Sequence, residues 1–303
     1  MLIRHLSYFV ALADARHFAR AAEICNVTQP ALSAAIRKLE DDLNATLIVR
    51  GHRYQGLTPD GERALQWGRQ ILSDYQNLKK GLGSARAGLN GALRLGVIPA
   101  AMPGVALISE RFTRINPLAT IDIRSMTSRA IQLALETYQI DGGLTYLENE
   151  PLEHVRRHLL YREHYVFACT CGHPLAARPS IDWAEALAEP LCLLNENMQN
   201  RRILNAIAAS LGLPVASPVI SDSFLAVLAH VSSGRWCSIL PHTFSRLLGS
   251  APDLRTIELV NPIETQAIGL VLLDRLPQSP MAAALLDAVG SGDGVAGPIE
   301  PPA

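Results

Sequence analysis

Apolar residues recur at three- and four-residue steps through the first part of this 303-residue chain, then give way to short runs and alternations. The pattern predicts helices first and a mixture of strands and helices afterwards. Within Phe18 to Glu40, FARAAEICNVTQPALSAAIRKLE, two helical stretches flank a polar break at Cys25-Asn26-Val27. Ala19, Ala21 and Ala22 are small enough for another helix to approach closely, and Asn26 tolerates the backbone angles of a tight turn. Thr28 suits the cap of the second helix, and Pro30 sits in its first turn, where no amide hydrogen is missed. Leu32, Ile36, Leu39 and Leu43 form one stripe, and Gln29, Ser33 and Arg37 occupy the other face. Such a pair is expected to enter a DNA major groove with the N-terminus of its second helix. Periodicity alone describes an ordinary helical hairpin equally well.

Leu47 to Thr58, LIVRGHRYQGLT, places Arg50, His52 and Arg53 around Gly51 and Gly56. Two short extended arms about a Gly-rich bend predict a β-hairpin whose arginines meet phosphates or a minor groove. A solvated basic loop is the other reading, and the preceding helix pair favours the first. From Pro59 to Ala87 one long helix is predicted, with Leu65, Gly68, Leu72, Tyr75, Leu78 and Leu82 at coiled-coil-like spacing. So long a helix needs a partner for its stripe. The rest of the chain could supply it, but an antiparallel helix pair between two subunits is favoured, since dimeric DNA readers hold two recognition helices at a fixed spacing. Gly88 and Gly91 mark a break.

Beyond that break the pattern is α/β. Leu93 to Ile98, Thr120 to Ser125 and Ile140 to Tyr146 are predicted strands, with helices at Met102–Phe112 and Ser128–Tyr138 between them. A second block adds strands at Tyr165–Cys169, Leu191–Leu194, Val219–Ser221 and Trp236–Pro241, and helices at Arg201–Leu211 and Ser223–Ser232. Ala267–Leu273 and a helix at Met281–Val289 close it. Strand–helix–strand repetition predicts a parallel sheet with crossover helices. The Gly- and Pro-rich tail, 290–303, is expected to be disordered.

Charge sharpens this division. Residues 1–90 carry 12 Lys/Arg against 8 Asp/Glu, and the remainder 15 against 20. A basic head suits a polyanion. No apolar run follows the start, so neither a secretory signal nor a membrane span is predicted, and a cytoplasmic protein without membrane contact is expected. Five cysteines fit a reducing compartment. Cys169 and Cys171, two apart in a predicted strand with His173 nearby, invite a metal or redox reading. A tetrahedral site needs about four ligands, no second cluster is visible, and core thiols are the better account. No cofactor and no metal are predicted. No G-x-S-x-G elbow, P-loop, H-E-x-x-H or Rossmann fingerprint occurs, so an enzyme is not expected.

The ordered motif Ala21-Ala22, Val27-Thr28-Gln29-Pro30-Ala31-Leu32-Ser33, Ile36, Leu39, Glu40, Leu43, Leu47, Arg50, Leu57-Thr58-Pro59-Asp60-Gly61 resembles the N-terminal domain of LysR-type transcriptional regulators. The resemblance implies a winged helix–turn–helix over 1–58, a linker and dimerisation helix over 59–90, and a two-lobed effector domain over 91–289, of the periplasmic-binding-protein kind. Lobe I would take about 91–161 and 267–289, and lobe II about 162–266. Thr28, Gln29, Pro30, Ser33 and Arg37 would meet a double-stranded DNA operator, with Arg50, His52 and Arg53 on the flanking backbone. A small-molecule effector would lie between the lobes. Pro99, Ala100, Met102, Thr127, Ser128, Arg129, Thr145 and Tyr146 would line one side, and Asn200, Arg202, Ser221 and Asp222, within or after the 198–202 stretch, the other. Ser128 reads equally well as a helix cap. Relatives often carry a hydroxyl in the first loop, whereas Ile98-Pro99-Ala100-Ala101 offers none. A very small ligand or a more apolar pocket follows. Met126 to Ile131 and Thr145 to Asn149 resemble regulators beside formate dehydrogenase operons, which points to formate or another small carboxylate. Homodimers pairing into homotetramers and contact with RNA polymerase are further implications of the resemblance. A free solute-binding protein and an effector-independent DNA-binding protein are the remaining alternatives.

Overall fold

The structure is a computed structural model and describes residues 3–49, 54–245 and 253–290. The chain divides into two compact units, Met1–Leu89 and Asn90–Ala303. The wing tip carrying Arg50, His52 and Arg53, and the tail from 291, lie outside the described residues.

The first unit contains α1 (Ile3–Ala15), α2 (Phe18–Ile24), α3 (Gln29–Leu43) and the long α4 (Pro59–Ala87). Leu6, Phe9 and Leu12 of α1, Ala21 and Ala22 of α2, and Leu32, Ile36 and Leu39 of α3 make one core. Asn26 takes a left-handed φ of 54° in the turn, and the Thr28 hydroxyl accepts the Ala31 amide at 3.4 Å. Leu43 is left exposed, because α3 ends there at a left-handed Asn44. Ile48 bridges Leu57 in antiparallel sense at the base of the wing. Glu40 fixes that base, its Oε1 accepting the Leu47 amide at 2.8 Å. Gly61 has a steric reason: a Cβ there would overlap the Leu47 carbonyl oxygen.

The stripe of α4 is split. Leu65 and Leu72 join the core of this unit, and Gly68 sits where a Cβ would come within 3.1 Å of Leu6. The half of the expected intersubunit seam formed by Leu65, Gly68 and Leu72 therefore belongs to intramolecular packing. Trp67, Ile71, Tyr75, Leu78 and Leu82 remain exposed along another line of the helix.

The second unit starts with β1 (Gly91–Val97), a 3₁₀ turn (Pro99–Gly104), α5 (Val105–Ile115), β2 (Ala119–Ser125), α6 (Ser128–Glu136) and β3 (Gly142–Tyr146). Then come β4 (Val155–Thr170), β5 (Ser180–Asp182), α7 (Trp183–Ala188), β6 (Cys192–Leu194), α8 (Gln199–Ser210) and β7 (Val219–Ser221). Next are α9 (Phe224–Ser232), β8 (Ser238–Pro241), β9 (Leu254–Val260) and β10 (Thr265–Leu273), and α10 (Pro280–Gly290) ends the described chain. The eight-stranded sheet runs β2-β1-β3-β10-β4-β9-β5, with β8 also paired to β4, and β6-β7 is a separate pair.

Several expectations change. The α-helix expected from Met102 begins only at Val105, because Pro103 lacks an amide hydrogen and lies in the 3₁₀ turn. The sheet is mixed rather than wholly parallel: β10 runs antiparallel to both β3 and β4. The strand expected from Tyr165 begins at Val155. Residues 155–164 of β4 pair with β10, and residues 165–170 pair with β8 and β9. This one strand thus passes from the first lobe to the second. Its inward face, Tyr161, Glu163, Tyr165, Phe167 and Cys169, is buried throughout. Packing of α6 on the first lobe is tight, since a Cβ at Gly143 would lie 2.5 Å from Ile131. That contact fixes the height at which Ser128 meets the cleft.

Candidate DNA-reading face and effector cleft

On α3 the stripe that packs inward leaves Gln29, Pro30, Ser33, Ala34 and Arg37 lining one shallow concavity. Gln29, Pro30 and Arg37 are exposed and Ser33 is half-buried. Thr28 caps the helix start, its hydroxyl taking the Ala31 amide. An amide, a hydroxyl and a guanidinium on one helical face supply donors for phosphates and base edges.

In the second unit a cavity lies between the two lobes, lined by Ile98, Pro99, Ala100, Thr127, Ser128 and Tyr146 on one side. Leu194, Met198, Gln199 and Asn200 close the other side. The free volume is about 10 Å³, room for roughly one water molecule. Two helices, α6 and α8, begin at this cavity, and their first-turn amides and dipoles favour negative charge. Thr127 caps α6 by accepting the Ala130 amide at 3.2 Å. The cap of α6 is thus Thr127 and not Ser128.

Ser128 instead joins the lobes, its hydroxyl donating to Gln199 Oε1 at 2.5 Å. Thr145, one layer beneath, donates to Ser128 Oγ at 3.1 Å. Gln199 Nε2 donates to the Glu148 carbonyl at 3.2 Å. Asn200 Nδ2 donates to the Tyr146 hydroxyl at 2.9 Å, which in turn donates to Glu163 Oε1 at 2.8 Å. Ser128, Thr145, Tyr146, Glu163, Gln199 and Asn200 are all buried. Burial without a counter-charge pushes the Glu163 carboxyl up to about 8, against a smaller lowering by the Tyr146 bond. Glu163 is therefore mostly a neutral acid at pH 7, and burial likewise holds the Tyr146 phenol well above its usual range.

The cationic candidates stand outside the cavity. Arg202 grips Glu150 with Nε and NH2 at 2.5 and 2.7 Å, and its bonds hold the Glu150 carboxyl below the usual range. Exposed Arg129 lies 3.8 Å from the same carboxylate in a separate outer groove shared with Gln132, Glu136 and Leu152. Met102 is half-buried and absent from the cavity wall. Ser221 turns inward on its own chain, its Oγ accepting the Ser223 amide at 3.1 Å, and Asp222 is exposed. Of the residues expected in the cleft, the structure brings together Pro99, Ala100, Thr127, Ser128, Thr145, Tyr146 and Asn200. It does not bring Met102, Arg129, Arg202, Ser221 or Asp222 into the cavity. Leu194 on the cavity wall and Glu163 beneath it went unnoticed. An acid two residues from a tyrosine on each side, on an alternating strand, is the signal that marks Glu163.

The cysteine expectation also resolves. β4 ends at Thr170, so Cys169 is buried within the strand, while Cys171 stands exposed in the turn after it. His173, Glu189 and Cys237 offer ligand atoms within 4.8 Å of one another. Yet His173 Nδ1 accepts the Leu175 amide at 3.2 Å, which leaves the ring proton on Nε2, 3.4 Å from Glu189. A cation on Nε2 would have to displace that proton and break the Leu175 bond. The trio is an imidazole and a carboxylate in contact beside a buried thiol. Among the described residues no helix is long and apolar enough to cross a membrane.

A helix–turn–helix head joined through a long helix to a two-lobed, small-cavity domain defines a ligand-responsive DNA-binding regulator. Residues 3–62 match the family model described as bacterial regulatory helix-turn-helix protein, lysR family. Residues 86–293 match the LysR substrate binding domain. The chain belongs to the LysR family of transcriptional regulators; it is a DNA-binding regulator with an effector-binding domain, not an enzyme. It is 30% identical over 290 residues to the uncharacterized HTH-type transcriptional regulator YnfL of Escherichia coli K12, covering 92% of this chain and 95% of that one. It is 32% identical over 295 residues to the SDS degradation transcriptional activation protein of a Pseudomonas species, covering 93% and 94%. A full-length OxyR cysteine variant of Pseudomonas aeruginosa has the same fold, with a TM-score of 0.76, 24% identity and coverage of 95% and 94%. CbnR bound to its target DNA matches with a TM-score of 0.67, 22% identity and coverage of 96% and 99%.

Proposed function

We propose that this regulator switches its operator binding by closing the cleft on a very small monoanion, a carboxylate of one or two carbons. The observation that carries this reading is the meeting of two helix N-termini from opposite lobes at a cavity with little free volume. First-turn amides hold a small anion without a cationic side chain; Arg129 and Arg202 are engaged by Glu150, and Arg201 by Asn205 and the Leu194 carbonyl. Neutral Glu163 spares the site a repelling charge. Formate is the first ligand to test, since it is the smallest carboxylate and the segments around Thr127 and Tyr146 resemble formate-linked regulators.

In this reading Gln29 reads a base edge, because its side-chain amide pairs bidentately with adenine. Pro30 and Thr28 set the helix start, while Ser33 and Arg37 position it on phosphates, with Arg50, His52 and Arg53 on the flanking backbone. The solved complex of CbnR with its target DNA supports a DNA-facing role for this part of the fold. The exposed line Trp67, Ile71, Tyr75, Leu78 and Leu82 is the seam of a homodimer, which pairs into a homotetramer. Contact with RNA polymerase stands on family resemblance. A footprint upstream of the protein's own gene, with and without formate, acetate and glyoxylate, tests the switch. Protection that shortens or shifts with one acid supports it. Protection indifferent to all small carboxylates sinks the proposed ligand class.

A further inference from the structure

Glu163 has no role in the DNA-reading face and does not line the cavity, yet it is the most deeply buried acid in the described chain. It sits on β4, the strand that crosses between the lobes, one residue before the point where β4 changes partners from β10 to β8. Through the Tyr146 hydroxyl it is one hydrogen bond removed from Asn200, which belongs to the opposite lobe. Its second oxygen, Oε2, is buried with no hydrogen-bond partner, as is the hydroxyl of Tyr161, and the Tyr165 phenol stands beside that of Tyr146. Gln266 lies directly across the ladder on β10. The groups around the carboxyl are thus Tyr146 from β3, Tyr161 and Tyr165 from β4 and, one bond further, Asn200 from α8. Of the titratable groups on the neighbouring elements, His242 lies edge-on to Tyr161 and Arg201 is turned to Asn205 and the Leu194 carbonyl; neither is bonded to Glu163. Glu264, the nearest other acid acting on this cluster, bears on Tyr165.

We propose that Glu163 is a positioning residue that couples closure of the effector cleft to the uptake of one proton. With the cleft closed by Asn200 on Tyr146, Oε2 is buried without a partner or counter-charge, so the neutral carboxyl is favoured. Opening the lobes lets water to the Tyr146–Glu163 pair and allows ionisation. The closed form then binds a proton that the open form releases, so rising pH opposes closure. The consequence for recognition is that a monoanion is received together with a proton, so the net charge of the site is unchanged on binding. The proposal rests on the cleft being the ligand site, and its test is kept separate from the identity of the ligand.

The window follows from linkage. The open-state carboxyl titrates near the ordinary value of about 4.3, and the closed-state carboxyl near 8. Between those values closure loses about tenfold per pH unit, and above the upper one it no longer changes. Hydrogen–deuterium exchange of the first turns of α6 and α8 in the full-length chain, corrected for intrinsic pH dependence, reads closure without any ligand. Protection of both turns is expected to fall from pH 6 to 8 and level off above. Glu163→Gln keeps a neutral, isosteric group and is expected to stay protected across the range, while Asn200→Ala is expected to be unprotected at every pH. A flat wild-type profile, or a Glu163→Gln profile with the wild-type slope, overturns the proposal. Titration with sodium formate at pH 6 and 8 is the second arm. Tighter binding at pH 6 in the wild type and equal binding in Glu163→Gln support the coupling. Equal binding in the wild type, despite a sloping exchange profile, overturns it for recognition. Formate that binds at neither pH removes formate as the ligand, and the exchange profile alone then decides the proton coupling.

Discussion

Gln29, Pro30 and Arg37 stand in solvent on α3, whereas Ser128, Gln199, Tyr146, Asn200 and Glu163 are buried and joined by hydrogen bonds. The first set is held in place from behind, by Leu32, Ile36 and Leu39. The second set holds itself, across separations of 17 to 71 residues. A surface that must meet a large polyanion is best left open and rigid. A cavity that must sense one small molecule is better built from side chains that exchange a partner in the chain for a partner in the ligand. Removing a side chain should therefore separate binding from stability on the head, and fuse them in the cleft.

The largest effect expected on that basis is at the support behind the head. Leu32 is fully buried, and Leu32→Ala should cost about 2–5 kcal/mol of head stability, seen as a lowered melting midpoint and loss of binding to operator and random DNA alike. Gln29→Ala should leave the midpoint unchanged and cost about 1–3 kcal/mol of discrimination between operator and random DNA, measured by competition in a mobility shift. If Gln29→Ala lowers the midpoint as much as Leu32→Ala, the separation of reading face from support fails.

In the cleft the same contrast should collapse. Tyr146→Phe removes one hydroxyl that both accepts from Asn200 and donates to Glu163. Two buried partners lose their bonds at once, and the expected destabilisation of the effector domain is about 2–4 kcal/mol. Ligand response should go with it. Calorimetric unfolding checks the first statement and a footprint with and without ligand the second. Full stability with lost response would show that the cleft, like the head, keeps its reading groups apart from its support.

What was legible in the residues follows this division. The helix pair is local: α2, the Asn26 turn, the Thr28 cap and the exposed Gln29–Arg37 face lie within about twenty residues, where helical periodicity reports burial directly. By contrast α1, which supplies Leu6, Phe9 and Leu12 to the core, was not among the expected elements. Strand order and the cleft are not local. Only the second half of β4 reads as a strand, because Arg156, Arg157 and Arg162 break the apolar pattern of the first half. The alternation that places Glu163 inward is then hidden. Arg129 and Arg202 have the chemistry an acid would want, but Glu150, which engages both, is fifty residues from one of them in sequence and invisible to spacing. Likewise Leu65, Gly68 and Leu72 share a coiled-coil step with Tyr75 and Leu78, and only the position of α1 assigns the former inward.

A finer probe of the cleft is the pair that ties the lobes directly. Ser128→Ala and Gln199→Ala should be non-additive, with a coupling of about 0.5–3 kcal/mol in a double-mutant cycle on unfolding, because each removes the other's partner. Additive effects would mean the lobes are held apart from this bond by other contacts.

The smallest effect is expected at the rim. Arg202 binds Glu150 through two nitrogens, yet both side chains are partly exposed, so Coulomb attraction is screened and the long side chains lose freedom in pairing. Arg202→Ala should cost no more than about 1 kcal/mol, less at high salt. The consequence for ligand response is more informative than the stability change. Freed from Arg202, Glu150 has Arg129 at 3.8 Å as its remaining cation, and the carboxyl, now held below its usual range chiefly by the Arg202 bond, should titrate higher. Stability contributed by that bond is present above the unfolded carboxylate pKa and disappears as the pH falls through the lower folded value. The difference between wild type and Arg202→Ala should accordingly shrink in acid, measured by melting midpoints at pH 4 and pH 7. A rim ion pair that merely shields the cavity mouth leaves ligand affinity within a few-fold. A loss comparable with that of Tyr146→Phe would move Arg202 from the rim into the recognition of the anion itself, and would draw the boundary of the cleft one turn further along α8.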